Sequence, residues 1–300
     1  MSMKWSWTMR ILVTGRDGQV ARCLADLADD AHAVFPVGRP DLDLTDPATI
    51  TAAIAAVKPD VVVNAAAYTA VDKAESEPEA AFAVNAEGAE HVSRAAFDVD
   101  LPVIHISTDY VFSGDKTSPY LESDATGPTG VYGSTKLEGE ARVLAANPRA
   151  VVLRTAWVFS PYGNNFLKTM LRVAKDRDEL RVVADQRGTP TYAPDIAAAV
   201  LAVCDRVTGE PGGAWSGIYH MVACGETSWA GFAEAIFVAS RASGGPAAKV
   251  TRITTADYPT PARRPANSRL DNSHFTTTFG YRFPNWIDTI PRCLAALAKQ

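Results

Sequence analysis

The chain has 300 residues, enough for one large domain or two unequal ones around a sizeable core. Its 47% hydrophobic and 21% charged residues are those of a globular protein, and a net charge of −5 with a pI near 5.6 argues against a nucleic-acid partner. Four scattered cysteines, Cys23, Cys204, Cys224 and Cys293, form no CxxC pair, which argues against a disulfide framework or a zinc site and for reduced thiols.

No apolar stretch reaches the ~18 residues that suggest a membrane span. The first residues, MSMKWSWTMRILVTG, hold an apolar run too short for a signal peptide, so residues before Arg10 read as a loose extension. The expected compartment is the cytoplasm, with a small-molecule partner and no membrane.

Arg10 to Thr14 (RILVT) is a β-branched run that stops at Gly15 and reads as a buried strand. Val20, Leu24 and Leu27 then share one helical face. Between strand and helix lies Gly15-Arg-Asp-Gly18-Gln19-Val20-Ala21. Glycines at such a turn let backbone come close to a ligand, and the free amides of a helix start favour a pyrophosphate. Ala21 in place of a third glycine still permits close helix–strand packing. Ala33 to Val37 is a second strand ending at Gly38-Arg39. Many NAD-binding folds carry an acid there for the ribose 2′-hydroxyl. Arg39 can instead pair with a 2′-phosphate, which tilts the cofactor toward NADPH over NADH.

Asp41 to Leu44 reads as a short third strand. Asp46 caps a helix with Pro47 at its first turn, running from Ala48 to Val57. Capping explains Asp46 but not Asp43, which can face an adenine. Asp60 to Asn64 (DVVVN) is the next strand, breaking into Ala65-Ala66-Ala67-Tyr68, small residues that allow a flat ligand against the backbone. A long helical region from about Val71 to Asp98 is interrupted at Pro78.

Pro102 to Ser107 is a strand that breaks into Thr108-Asp109-Tyr110, and the helix holding Tyr132-Gly-Ser-Thr-Lys136 runs to about Ala146. Residues four apart share a helix face, so the Lys136 ammonium is expected beside the Tyr132 phenol, drawing its pKa down from ~10. Ala150 to Phe159 reads as one further strand. This alternation demands an α/β fold with a Rossmann-like, doubly wound parallel sheet.

Past residue 160 the character changes. Helices are expected over Asn165 to Arg177, Asp195 to Val207, Trp229 to Arg241 and Trp286 to Ala298. Strands are expected at Leu180 to Ala184 and Ile218 to Val222, and a loop at Gly209 to Gly213. The division is a dinucleotide-binding domain over 9–160 and a smaller, mainly substrate-binding lobe over 161–300, with some elements returning to the main sheet.

The glycine turn, the Asn at the end of DVVVN, Thr108, Tyr132 and Lys136 together resemble the extended short-chain dehydrogenase/reductase family. The resemblance is closer to its dTDP-4-dehydrorhamnose reductase branch, carried by TGRDGQVA, NAAAYTAVDKAE, AVNAEG, ISTDYVFSG, VYGSTKLEGE, LRTAWVFSPYGNNF, ADQRGTPTYAPDIA and RRPANSRLD between about residues 11 and 271. It implies NADPH- or NADH-dependent reduction of the C4 ketone of a nucleotide sugar, dTDP-4-dehydro-L-rhamnose.

Carried over residue by residue, Gly15, Gly18, Gln19 and Val20 hold the pyrophosphate, and Asp43 and Leu44 line the adenine site. Ala66, Ala67 and Tyr68 flank the cofactor, and Lys136 binds the nicotinamide ribose. Thr108, Asp109 and Trp157 meet the sugar. Thr108, Tyr132 and Lys136 form the catalytic set. Related 4,6-dehydratases resemble STDEVYG after the same strand, whereas this chain has Tyr110 where the Glu stands, which favours plain reduction. The rivals are another nucleotide-sugar 4-ketoreductase, a 4-epimerase, and a non-catalytic regulatory subunit on the same fold. Some family members are described as metal-bridged dimers. No carboxylate cluster in the sequence predicts such a site, and a monomer or homodimer is expected.

Overall fold

The computed structural model describes residues 8–210, 212 and 214–300. The expected N-terminal extension lies, through residue 7, outside the described residues, as do Pro211 and Gly213 of the expected loop.

Strand β1 (Met9–Thr14) leads into α1 (Gln19–Asp26), β2 (His32–Val37), α2 (Pro47–Val57) and β3 (Val61–Asn64). Short helices α3 (Val71–Ala74) and α4 (Pro78–Phe82) pass through a π-turn at Ala83–Glu87 into α5 (Gly88–Phe97). Next come β4 (Val103–Thr108), a 3₁₀ turn at Asp109–Val111, α6 (Val131–Ala146) and β5 (Ala150–Thr155). The second half holds β6 (Val158–Phe159), α7 (Phe166–Val173), β7 (Glu179–Val183), β8 (Arg187–Gly188), β9 (Thr191–Tyr192) and α8 (Ala193–Gly209). It closes with β10 (Gly217–His220), β11 (Thr227–Ser228), α9 (Trp229–Ala242), β12 (Lys249–Ile253), α10 (Ser273–Phe279) and α11 (Trp286–Leu297).

Six parallel strands form the main sheet in the order β2-β1-β3-β4-β5-β10. Both faces are covered, which is why these strands read as continuous apolar runs rather than alternating ones. Alternate residues still divide between the faces. Ile11, Val13, Val61, Val63 and Ile104 pack with α1 and α8, while Leu12, Val62, Val103 and Val152 pack under α2, α5 and α6. Each fully buried aliphatic side chain contributes ~1.5–3 kcal/mol.

The chain leaves β1 toward β2 and then crosses back to place β3 on the other side of β1. That reversal opens a crevice at the carboxyl ends of β1 and β3, where ligands bind in such sheets. The second half is not separate from this sheet: β10 extends its edge beside β5, and Phe275 and Phe279 of α10 join the α1/α8 core. A second apolar cluster, including Phe159, Leu167, Phe232, Ile236 and Trp286, holds α7, α9 and α11 together.

Four expectations change. Asp41–Leu44 forms no strand, so DVVVN contains the third strand of the chain and not the fourth. The Ala150–Phe159 run splits after Thr155, because Trp157 takes a left-handed backbone (φ 45°). The region from Val71 to Asp98 is a chain of short helices and a π-turn. Strand β12, paired with β7, and helix α10 had no counterpart in the sequence reading.

Candidate active site

The phosphate cradle follows from local geometry. Gly15 has φ +88°, and a Cβ there would meet the Ala66 backbone at 3.1 Å, so a side chain is both strained and crowded. Gly18 starts α1 without any side-chain cap, leaving the first amides of the helix facing the crevice. Ala21 is fully buried against the sheet. The Gln19 side chain is committed elsewhere: its Oε1 accepts from Ser160 Oγ at 2.8 Å and from Asn165 Nδ2 at 3.0 Å, tying the cradle to the start of α7. This uncapped, glycine-opened helix start fits a dinucleotide pyrophosphate.

Helix α6 carries two of the candidate catalytic side chains, Tyr132 and Lys136. Its N-cap, Gly130, supplies no side chain, and Glu75 from the end of α3 accepts from Val131 N at 2.8 Å instead. Along one face come Tyr132, Lys136 and Glu140. Glu140 is buried and paired bidentately with Arg154 of β5 (2.9 and 2.7 Å), and it also accepts from Ser107 Oγ at 2.5 Å. These bonds pin α6 to the ends of β4 and β5.

Thr108 ends β4. Its hydroxyl donates to Asp109 Oδ1 at 3.0 Å and accepts from Tyr110 N at 3.2 Å. The Tyr110 ring packs edge-to-face on Tyr132 at 5.7 Å, so an aromatic ring occupies the wall where a dehydratase would need a carboxylate.

The expected lowering of the Tyr132 pKa is not found. Burial pushes the phenol up to about 12; a hydrogen bond with Thr108 opposes this and the Asp109 carboxyl adds to it. Lys136 makes no hydrogen bond to the phenol: its Nζ donates to the Ile106 carbonyl at 2.7 Å and meets His105 Nε2 at 3.1 Å. Burial lowers Lys136 to about 8, with Glu140 pulling the other way. Tyr132 is therefore fully protonated at neutral pH, as a proton donor requires.

One cleft of about 890 Å³ brings most of the candidate residues together. Gly15, Gly18, Gln19, Val20, Arg39, Asp43, Leu44, Ala66, Ala67, Thr108, Asp109, Tyr132, Lys136 and Trp157 all line it. Arg39 is exposed at its rim. The Asp43 carboxylate accepts from the Thr45 amide and hydroxyl, which hold its pKa below the usual range. Tyr68 lies outside this set: its hydroxyl donates to Glu77 at 2.7 Å and its amide to Asn85.

The sequence reading missed Asn164 and Trp229, which also line the cleft. Trp229 stacks on Trp157 at 3.5 Å with the rings 6° from parallel. Nothing local signals that pairing, since 72 positions separate the two in the numbering. Among the described residues no group of three His, Cys, Asp or Glu side chains is placed to hold a metal ion, and no helix is long and apolar enough to cross a membrane.

A glycine cradle at the switch point of a parallel sheet, continuous with a Thr–Tyr–Lys set, defines a nicotinamide-dependent oxidoreductase of the short-chain dehydrogenase/reductase type. The chain belongs to the RmlD substrate binding domain family, whose model matches residues 9–299. A dTDP-4-dehydrorhamnose reductase of Sinorhizobium fredii is 50% identical over 289 residues, covering 96% of this chain and 98% of the relative. Among solved structures, a dTDP-4-dehydrorhamnose reductase from Clostridium acetobutylicum superposes with a TM-score of 0.88 at 39% identity. It covers 97% of this chain and 100% of that one. The enzyme of the same name from Bacillus anthracis, solved in complex with NADP, gives a TM-score of 0.88 at 32% identity and the same coverage.

Proposed function

We propose that this protein reduces the C4 ketone of dTDP-4-dehydro-L-rhamnose to give dTDP-L-rhamnose, using NADPH or NADH. The observation that carries the reading is the single cleft that joins the Gly15–Val20 cradle to Thr108, Tyr132 and Lys136. The S. fredii relative and the NADP-bound B. anthracis structure support the substrate and the cofactor. In this reading residues 9–160 hold the dinucleotide, with Arg39 toward a 2′-phosphate and Asp43 and Leu44 toward the adenine. Residues 161–300 mainly hold the nucleotide sugar.

The Gly15–Val20 cradle would hold a reduced nicotinamide dinucleotide, which would supply the hydride for the ketone carbon. The residues of this chain handle the oxygen. Tyr132, protonated at working pH, donates its phenolic proton to the developing alkoxide, a general-acid contribution of ~10²–10⁴ in rate. The Thr108 hydroxyl turns its hydrogen from Asp109 Oδ1 to the same oxygen. Lys136 binds the nicotinamide ribose and places positive charge at the cleft floor. Asp109 and Trp157 frame the sugar.

Incubation with NADPH and dTDP-4-dehydro-L-rhamnose is expected to consume cofactor with stoichiometric formation of dTDP-L-rhamnose. Tyr132→Phe is expected to lose ~2–5 kcal/mol of transition-state stabilisation. Turnover of a different ketosugar alone would reassign the substrate. Cofactor binding with no turnover of any ketosugar would favour the regulatory reading, and a near-normal kcat in Tyr132→Phe would remove that residue as the acid.

A further inference from the structure

A buried polar row runs beneath the cleft. The parallel register sets Thr14 of β1 beside Asn64 of β3, and Asn64 beside His105 of β4. Thr14 Oγ1 lies 2.6 Å from Asn64 Oδ1, Asn64 Nδ2 lies 3.1 Å from His105 Nδ1, and His105 Nε2 lies 3.1 Å from Lys136 Nζ. All four residues are essentially inaccessible to solvent. Thr14, Asn64 and His105 share the sheet face that otherwise presents Leu12, Val62 and Val103 to the helices, and Lys136 meets them from α6. A polar row in such a place is costly unless its members bond one another.

The charge at its Lys136 end selects the protonation states. Burial and the neighbouring Lys136 hold the His105 imidazole uncharged, so it carries one N–H. An ammonium only donates, so beside a charged Lys136 the Nε2 atom must be the acceptor and Nδ1 must bear the hydrogen. Nδ1–H then needs the Asn64 oxygen, which puts the Asn64 amide nitrogen toward Thr14 Oγ1. This is a flip of a nearly isosteric amide from the orientation given above, in which the Thr14 hydroxyl donates to Asn64 Oδ1 and accepts from the Ala66 amide at 3.1 Å; after it Thr14 Oγ1 accepts from both amides and its own hydrogen gives up the Asn64 acceptor. The other tautomer would aim Nε2–H at Lys136 and suits only an uncharged amine.

We propose that His105 is a positioning residue for Lys136: its Nδ1–H tautomer, fixed by Asn64, offers the Nε2 lone pair that keeps the Lys136 side chain charged and in place at the floor of the cleft. The inference rests on the role given to Lys136 in the reduction. His105 itself does not line the cleft and acts through the lysine. Of the ionisable groups facing Lys136, Glu140 one turn further along α6 is committed to Arg154 of β5, and Tyr132 one turn earlier is protonated. That leaves the Ile106 carbonyl and His105, both from β4, as its hydrogen-bond partners.

Nitrogen-15 NMR of the full chain labelled at histidine reads the tautomer directly, with His105 assigned by the signal lost in His105→Gln. The expected result is Nδ1–H at pH 7, changing to Nε2–H as Lys136 loses its proton. In parallel, the kcat–pH profile of His105→Leu on dTDP-4-dehydro-L-rhamnose is expected to show its alkaline limb moved down by about one pH unit, with KM for the nucleotide sugar little changed. His105→Gln, whose side-chain oxygen can accept, restores most of that shift. An Nε2–H tautomer across the whole range, or an unmoved limb in a folded His105→Leu protein, overturns the proposal. If His105→Leu does not fold, the tautomer and the glutamine variant decide it. Absence of turnover by the unmutated protein would defeat the functional reading, while the NMR measurement still tests the contact itself.

Discussion

Asp109 shows how a single side chain can be unfavourable for the fold and still suited to the site. It is 2% exposed, and its Oδ2 lacks a well-formed hydrogen bond among the described residues. Burial pushes its carboxyl up to about 6, against the pull of Ser268, Thr108 and nearby amides. Between about pH 4 and 6 the folded protein therefore binds more protons than the unfolded chain, and stability falls as pH rises through that window. Above it the ionised, incompletely partnered carboxylate is a standing penalty. Asp109→Asn is accordingly expected to raise stability at pH 7 by ~1–3 kcal/mol and to flatten the loss between pH 4 and 6, while lowering turnover. Urea unfolding at the two pH values checks this, and a variant less stable than the parent at pH 7 would refute it.

At the scale of elements, α6 is seated unusually close to its neighbours. A Cβ at Gly133 would lie 2.2 Å from the Tyr110 carbonyl oxygen, and one at Gly139 would lie 2.1 Å from the Asn85 carbonyl oxygen. In an exposed helix Gly→Ala stabilises by ~1 kcal/mol. Here the sign is expected to reverse, because backbone must move: overpacking of this kind typically costs ~1–3 kcal/mol. Gly133→Ala is expected to lower kcat as well, since it displaces Tyr132 from Thr108, whereas Gly139→Ala mainly lowers the unfolding midpoint. Thermal unfolding beside steady-state kinetics separates the two, and a stabilised Gly133→Ala would show the packing to be looser than these distances.

Helix α6 was readable in advance, as were β1, β3 and β4, because period and apolar runs are local properties. Asp41–Leu44 has the apolar alternation of a strand, but its backbone turns instead of pairing with the edge strand β2: Asp41 N and Leu42 N both donate to the Gly38 carbonyl, and Asp43 N to Thr49 Oγ1. The break at Trp157 depends on a left-handed backbone that no composition rule assigns to tryptophan. The position of Lys136 was misread because helical spacing placed it relative to Tyr132 alone. Its actual partner, His105, is set by strand register and by the sheet face that α6 covers. A polar residue inside the run Val103–Ile106 was the only local trace of it.

At the scale of the whole molecule, a segment returns from the far end of the chain to the region that follows β4. Residues 260–271 run past the end of β4. Asn267 Nδ2 donates to the Lys116 and Ser118 carbonyls, Arg269 bonds the Thr117 carbonyl, and Arg264 clasps Asp72 of α3 at 3.0 and 2.8 Å. Arg264 holds the Asp72 carboxyl below its usual range, so the clasp is present above the ordinary carboxylate pKa and is lost only as pH falls beneath it. Because the pair is partly exposed, its direct contribution to stability is modest, ~1 kcal/mol or less. Its larger effect is on geometry: the same segment brings Ser268 to Asp109 and Arg264 close to Tyr110, both lining the cleft where we propose that the sugar binds. Arg264→Ala is therefore expected to raise KM for the nucleotide sugar about fivefold, with cofactor affinity and the unfolding midpoint nearly unchanged. Arg264→Lys is expected to recover little, since a lysine cannot reproduce two parallel bonds to one carboxylate. Steady-state kinetics with each substrate varied in turn tests this. A loss of cofactor affinity equal to the rise in KM would mean that the segment supports the whole cleft and not its sugar side.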